Sequence, residues 1–286
     1  MTSRTAPLLS AAITSPSQIA GLTAHYPSIA TAHYKLRLKD ATKVSAAIQR
    51  DHWRYEQLPA QLLQAQKANA GTDAAVSLDL ADLEKLVQWK ITHGHSRPFL
   101  PAMIRRNDSG LVKKATAEGA RKLHETLKTD KTDNLNGSIA AGAAVASGPN
   151  LYNAIDAFCQ LTGVGPATGS LVGSAYAPAQ VPFFADETYA WLVDSGQLKL
   201  KYDKKEYLAL FEAVAALRDR LGDTDLECVD IEQAAFVAMH LDLLDDKESV
   251  INPSGKRRAK SLPKPVAEGA RRSKRVKRPG TEAERD

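Results

Sequence analysis

Apolar side chains recur along this chain at spacings of three and four residues, and nowhere do they alternate with period two for long enough to argue for a sheet. Ser77 to Ile91 shows this best, with Leu83, Leu86, Val87 and Ile91 on one helical face. Residues 16–38 predict a helix or two, starting near Ser15-Pro16-Ser17, where a proline beside serines suits a first turn. The segment His52–Ala68 carries Trp53, Tyr55, Leu58, Leu62 and Leu63, with Pro59 as a break or first-turn residue, and Ala70-Gly71-Thr72-Asp73 reads as a turn. Thr92-His93-Gly94-His95-Ser96-Arg97-Pro98-Phe99 ends the helix that reaches Ile91. A short helix from Pro101 to Arg106 and a longer one from Leu111 to Leu127 follow. Further apolar faces run through Lys205–Leu221 and Asp230–Leu244. The expected fold is therefore an all-α, multi-helix globular body over residues 16–246, after a disordered N-terminus at 1–15. Residues 129–150, with their run of Ala, Gly and Ser, read as a flexible insertion.

Residues 151–176 predict a helix-hairpin-helix. Asn150 can cap a helix through Ile155, Phe158 and Leu161, and Thr162-Gly163-Val164-Gly165-Pro166 reverses the chain into a second helix ending at Tyr176. Pro166 fits the first turn of that helix, where a missing N–H costs nothing. Two glycines allow a tight reversal while Val164 anchors it in the core. The turn and the following helix start would expose backbone N–H groups suited to a phosphate oxygen. The string Gly163-x-Gly165-x-x-x-Gly169 also resembles a dinucleotide fingerprint, but that reading needs a preceding strand, and helical spacing precedes Gly163.

Charge changes the picture only once it is divided. The net charge is +5, yet from Gly255 to Asp286 there are 12 Lys/Arg against 4 Asp/Glu, leaving 26 basic and 29 acidic residues elsewhere. The body has no overall attraction for polyanions, so any affinity there needs a local patch. Pro253, Pro263, Pro265 and the charge density predict a disordered basic tail at 247–286. Its two clusters, Lys256-Arg257-Arg258 and Arg271-Arg272-Ser273-Lys274-Arg275-Val276-Lys277-Arg278, resemble a bipartite nuclear-import sequence and would also bind nucleic acid non-specifically. The expected partners are DNA and a nuclear import receptor, and the expected location is the nucleus. The first 39 residues lack Asp and Glu, which leaves mitochondrial targeting as a minor alternative. No stretch approaches the roughly 20 apolar residues of a membrane span. Cys159 and Cys228 both sit in apolar helical patterns and read as buried, reduced thiols; no cofactor or metal is expected.

Leu161-Thr162-Gly163-Val164-Gly165-Pro166-Ala167-Thr168, followed by Val181-Pro182-Phe183-Phe184-Ala185-Asp186-Glu187, resembles the core of the helix-hairpin-helix DNA glycosylase superfamily. Trp89-Lys90, Gly94 and Arg97-Pro98, with the Val181–Glu187 segment, also resemble a group of uncharacterised eukaryotic proteins that share the hairpin. The glycosylase resemblance implies that Asp186 falls on the catalytic carboxylate, which stabilises charge on the sugar as an N-glycosidic bond breaks. It further implies a flipped-out base, with Phe183, Phe184, Tyr189 or Trp191 near the pocket. Bifunctional members carry a Lys two residues after the second hairpin glycine, a position held here by Ala167, so the resemblance implies no lyase chemistry.

Each signal has a plainer alternative. Gly163, Val164, Gly165 and Thr168 with Arg97 and Arg105 are the expected phosphate contacts, but a hairpin also serves packing or a protein partner. Asp186 could instead cap the helix beginning at Glu187. Arg97 could equally brace an internal carboxylate, and His93 and His95 read as a solvated turn. From Leu151 to Trp191 there is no Lys or Arg, so cationic contacts would have to come from Lys90, Arg97, Arg105, Arg106, Lys113 and Lys114 or from the tail. Three functions follow: a nuclear nucleic-acid-binding protein of glycosylase-like fold, a monofunctional N-glycosylase using Asp186, or a non-catalytic interaction module.

Overall fold

The computed structural model describes residues 10–69, 76–133, 148–194, 199–222 and 225–244, all of them in one compact unit spanning residues 1–253. The basic tail, both import clusters and most of the expected insertion lie outside the described residues. Every regular element among the described residues is helical. In chain order they are α1 (Pro16–Leu38), α2 (Ala41–His52), α3 (Leu58–Ala68), α4 (Leu80–His93), α5 (Leu100–Ile104), α6 (Ser109–Asp133), α7 (Gly148–Phe158), α8 (Pro166–Tyr176), α9 (Asp186–Tyr189), α10 (Lys204–Leu221) and α11 (Cys228–Met239). Among those residues, no helix is long and apolar enough to cross a membrane.

Local chemistry accounts for the helix starts. Ser15 opens α1 with a reciprocal cap: Gln18 N–H donates to Ser15 Oγ (3.3 Å) and Ser15 N–H donates to Gln18 Oε1 (2.9 Å). Asp40, Asp79 and Asp203 cap α2, α4 and α10 in the same sense, each accepting a backbone N–H three residues on. The region expected to hold a helix or two is a single helix that passes through Pro27. Helix α2, which the sequence analysis does not single out, buries Val44, Ala47 and Asp51 at helical spacing. A π-type turn, Trp53–Gln57, joins it to α3, where Pro59 occupies the first turn.

The N-terminal boundary shifts. Residues 11–13 form a 3₁₀ turn, Thr14 is buried, and Arg220 donates to Ala11 O (2.7 Å) and Thr14 O (2.9 Å). The expectation of disorder through residue 15 does not hold for residues 10–15, where a distant arginine satisfies these carbonyls. Helices α6 and α7 reach further into the expected insertion than the pattern predicted, leaving residues 134–147 outside the described ones.

Helix α11 is buried nearly all round by Ile231, Ala234, Ala235, Phe236, Val237 and Ala238, and α1 packs along it. Its small residues let neighbours approach closely. Beneath this lies a charged interior. Asp51 Oδ1 accepts from Tyr26 OH (3.0 Å), Tyr34 OH (2.8 Å) and Trp89 Nε1 (2.8 Å). Arg54, fully buried, donates through Nη2 to Glu232 (2.9 Å) and Ser174 Oγ (3.0 Å), and Tyr55 OH donates to Glu232 (2.7 Å). Arg54 Nε and Nη1 have no hydrogen-bond partner, but the guanidinium lies 4.2 Å from the Tyr55 ring centroid and 5.0 Å from that of Trp89.

His93 corrects the sequence reading: it is not in a solvated turn. It is the last residue of α4, buried between the Trp89 ring at 4.6 Å and the Phe236 ring at 4.2 Å. Burial, and the nearby His33, push its pKa well below the ordinary histidine value, so the imidazole is neutral. Its place at the helix terminus, one residue before Gly94, made it look exposed. The helix face decided otherwise.

Candidate functional site

The hairpin forms where the sequence places it. Helix α7 ends at Phe158, the chain reverses through 159–165, and α8 begins with Pro166. Gly163 takes φ +83°, and a Cβ there would lie 3.0 Å from Met103 Cβ, so the turn requires glycine for both conformation and space. Val164 is buried beneath it. Asn107, just past α5, clamps the turn from outside: it donates to Thr162 O (2.9 Å) and accepts from Thr162 N–H (2.8 Å). Gly165 is the residue before α8, with no side-chain cap. Its backbone is extended, it is exposed, and a Cβ there would meet nothing within 4 Å. The start of α8 is therefore approachable from solvent, with its dipole's positive end outward.

Beside this turn opens a cavity of about 450 Å³. Its lining comes from the hairpin, Gly163 to Thr168, from Phe183 to Glu187, from α4 and the loop that follows it, from Leu100 and Met103 of α5, and from Lys201 and Tyr202. Asp186 is half-buried in this cavity. It is the first residue of α9, whose cap position belongs to Ala185, so it is not the residue that precedes the helix, as the capping alternative supposed. Its Oδ1 accepts a hydrogen bond from Tyr202 OH at 2.7 Å.

Tyr202 carries no sequence signal, yet it sits at φ +59°, a left-handed conformation uncommon for a bulky residue. Glu206 holds it there, accepting from Tyr202 N–H (2.6 Å) and from Lys201 N–H (3.0 Å). Arg97 lies over the Tyr202 ring, 5.0 Å from guanidinium carbon to centroid. Carboxylate, phenol and guanidinium thus stack as one assembly at the cavity wall. Burial and the Asp186 carboxylate push the Tyr202 phenol well above its ordinary pKa, which keeps it a donor to Asp186.

Lys90 enters the cavity from α4. Its Nζ donates to Thr168 Oγ1 at 3.0 Å, on the first turn of α8. Burial, with Arg97 adding to it, lowers the amine to about 8, while Asp186 pulls the other way. Thr168 is buried, and its hydroxyl is engaged by Lys90.

Of the expected contact residues, Gly163, Val164, Gly165, Thr168 and Arg97 all line the cavity together with Asp186. Arg105 does not; it is an exposed side chain 3.6 Å from Glu84. Phe183 and Phe184 line the cavity from the core, whereas Tyr189 and Trp191 do not. Phe99 stands exposed at the rim. The cations that residues 151–191 lack arrive from elsewhere: Lys90, Arg97 and Lys201 against Asp186 and Glu187. Among the described residues no group of three or more His, Cys, Asp and Glu is placed to hold a metal ion. No family model matches the chain, and neither the curated proteins nor the solved structures contain a match to it.

Proposed function

We propose that the protein binds DNA through its hairpin, in the manner of helix-hairpin-helix glycosylases, and takes one extruded nucleotide into the adjoining cavity. The observation that carries this reading is the juxtaposition of an uncapped hairpin turn, Lys90, Arg97 and the Asp186 carboxylate around one open cavity. Backbone N–H groups at the turn and Arg97 suit phosphate oxygens. Phe183 and Phe184, buried behind the cavity, make part of its lining apolar, and a cavity of this size falls within the range of small-ligand sites. Exposed Phe99 at the rim is placed to fill the gap that an extruded base leaves in the stack.

Asp186 favours the second reading, a monofunctional N-glycosylase. A carboxylate that accepts from the Tyr202 phenol and lines the cavity can stabilise cationic charge on a sugar. The basic clusters of the tail serve nuclear import in this proposal, and a fluorescent fusion whose nine cluster cations are changed to Gln loses nuclear accumulation.

The test is affinity for a duplex carrying one tetrahydrofuran residue, a stable baseless analogue, compared with an intact duplex. Preference for the analogue supports extrusion, since unstacking costs least there; equal affinity overturns it. If base release is found, Asp186→Asn abolishes it while leaving binding, and unchanged release removes Asp186 from catalysis.

A further inference from the structure

A second cavity, of about 550 Å³, opens where α2, the π-type turn after it and α4 meet. Lys85 lines this cavity and Lys90 lines the one beside the hairpin. The two lysines are five residues apart on α4, about 140° round the helix, so the cavities lie on different sides of it. The second lining carries one sign of charge. Arg50 comes from α2 and Lys85 from α4, Gln49 and Gln57 add amides, and no Asp or Glu stands among the lining residues. His52 also lines it, with Nδ1 3.0 Å from the Glu56 carboxylate.

The two cations lack partners. Among the described residues neither Arg50 nor Lys85 makes an ion pair or a side-chain hydrogen bond. Arg50 is half-buried, and burial pushes its guanidinium below the ordinary arginine pKa. The group stays protonated nonetheless, so it bears a desolvation cost with no acceptor to offset it. The Lys85 ammonium rests over the Trp53 ring, 4.1 Å from its centroid, and its N–H donors meet no protein oxygen. Trp53 and Gln57 are the first and last residues of the π-type turn, so the widened turn itself builds part of the lining. Single π turns within helical runs frequently mark functional sites.

We propose that this cavity binds the diphosphate group of a small molecule, with Arg50 and Lys85 as its charged anchors. The planar Arg50 fork suits two oxygens of one phosphate, and the Lys85 ammonium answers the other as a point charge. Gln49 and Gln57 offer N–H donors to oxygens that the cations leave free. Anchors on two separate helices, in a cavity with room for more than a single ion, fit a diphosphate better than a monophosphate. A duplex lying along the hairpin meets the other side of α4, so the ligand is a free compound. This site stands whether or not the hairpin cavity takes DNA.

The test is calorimetric titration of inorganic pyrophosphate into the full chain with the nine cluster cations of the tail changed to Gln, which removes their competition. One saturable site is expected, weakened about tenfold or more by Arg50→Gln and by Lys85→Glu, and unaffected by Arg97→Ala. Lys85 is exposed, so its substitution carries the test even if Arg50→Gln lowers thermal stability. No saturable binding, or binding indifferent to both substitutions, overturns the proposal. Loss on Arg97→Ala places the anion in the hairpin cavity and overturns it too. Equal affinity for inorganic phosphate overturns the diphosphate assignment, and displacement of pyrophosphate by an intact DNA duplex overturns a small molecule as its source.

Discussion

Trp89 and Lys90 are neighbours in sequence, yet they belong to two different electrostatic regions. Trp89 turns inward and donates to Asp51 within the interior that also holds Arg54 and Glu232. Lys90, about 100° further round the helix, faces the cavity with Arg97 and Asp186. Both regions contain charges withdrawn from water. In the interior, protein groups enclose them: two tyrosines and an indole surround Asp51, and Glu232, Ser174 and two aromatic faces surround Arg54. In the cavity one wall is missing, and a tyrosine is held in a sparsely populated backbone conformation to complete what is there. An enclosed ion pair specifies a fold, whereas charged groups that line an open cavity offer partners to a ligand.

Breaking the interior should have the largest effect. Glu232→Leu leaves the Arg54 cation buried without its partner, at a cost of about 3–5 kcal/mol in chemical denaturation. Arg54→Met combined with Glu232→Leu should recover most of that loss. If the single substitution is silent, the interior pair is not the structural element described.

The cavity lysine should behave in the opposite sense. Its folded pKa is lowered from 10.5 to about 8, so the folded chain holds fewer protons than the unfolded one between those values. Stability therefore rises with pH across that window, and the burden of the buried charge is greatest below about 8. Lys90→Met should stabilise the protein near neutrality by about 3 kcal/mol at most, with the gain shrinking towards zero as pH rises past the ordinary lysine value. A gain that does not depend on pH would contradict the assignment.

The two hairpin glycines sharpen the contrast on a smaller scale. Gly163→Ala should lose about 1–3 kcal/mol in thermal unfolding, because its backbone is left-handed and Met103 occupies the space. Gly165→Ala should stay within about 0.5 kcal/mol of wild type, since nothing stands near its Cβ, yet weaken DNA binding. If both variants bind DNA as well as the parent, no ligand backbone approaches the turn. The smallest effect is expected of the arginines. Arg97→Ala should reduce the salt dependence of DNA binding by about one unit of slope, and Arg105→Ala should leave it unchanged.

These contrasts also mark how far the sequence could be read. The hairpin was legible because Gly163, Val164, Gly165 and Pro166 each impose a local constraint, and short-range geometry survives folding. The long helices were legible from their period. Helix α2 was passed over: its buried face, Val44, Ala47 and Asp51, has helical spacing, but an aspartate is a residue type that pattern reading assigns to solvent. Asp186 was singled out by the resemblance of the hairpin and the Val181–Glu187 segment to the glycosylases, but Tyr202, which holds it, was not, since nothing at Lys201-Tyr202-Asp203 announces a strained turn. Arg97 and Arg105 look equivalent in sequence, and only the packing of α4 and α5 sends one to the cavity and the other to Glu84. Lys90 is the sharpest case. Its surroundings combine Arg97 of the following loop with Thr168 and Asp186, which are distant in sequence and which no local spacing records.

The central claim is that the cavity, and not the basic tail alone, reads DNA. The direct measurement is the affinity for the tetrahydrofuran duplex, at fixed salt, of the full chain with Lys256, Arg257, Arg258, Arg271, Arg272, Lys274, Arg275, Lys277 and Arg278 all changed to Gln. The account predicts weaker binding that still prefers the baseless analogue over intact duplex, with that preference lost when Arg97→Ala and Gly165→Ala are added. Disappearance of all binding with the tail charges, or a preference indifferent to the cavity substitutions, would contradict it.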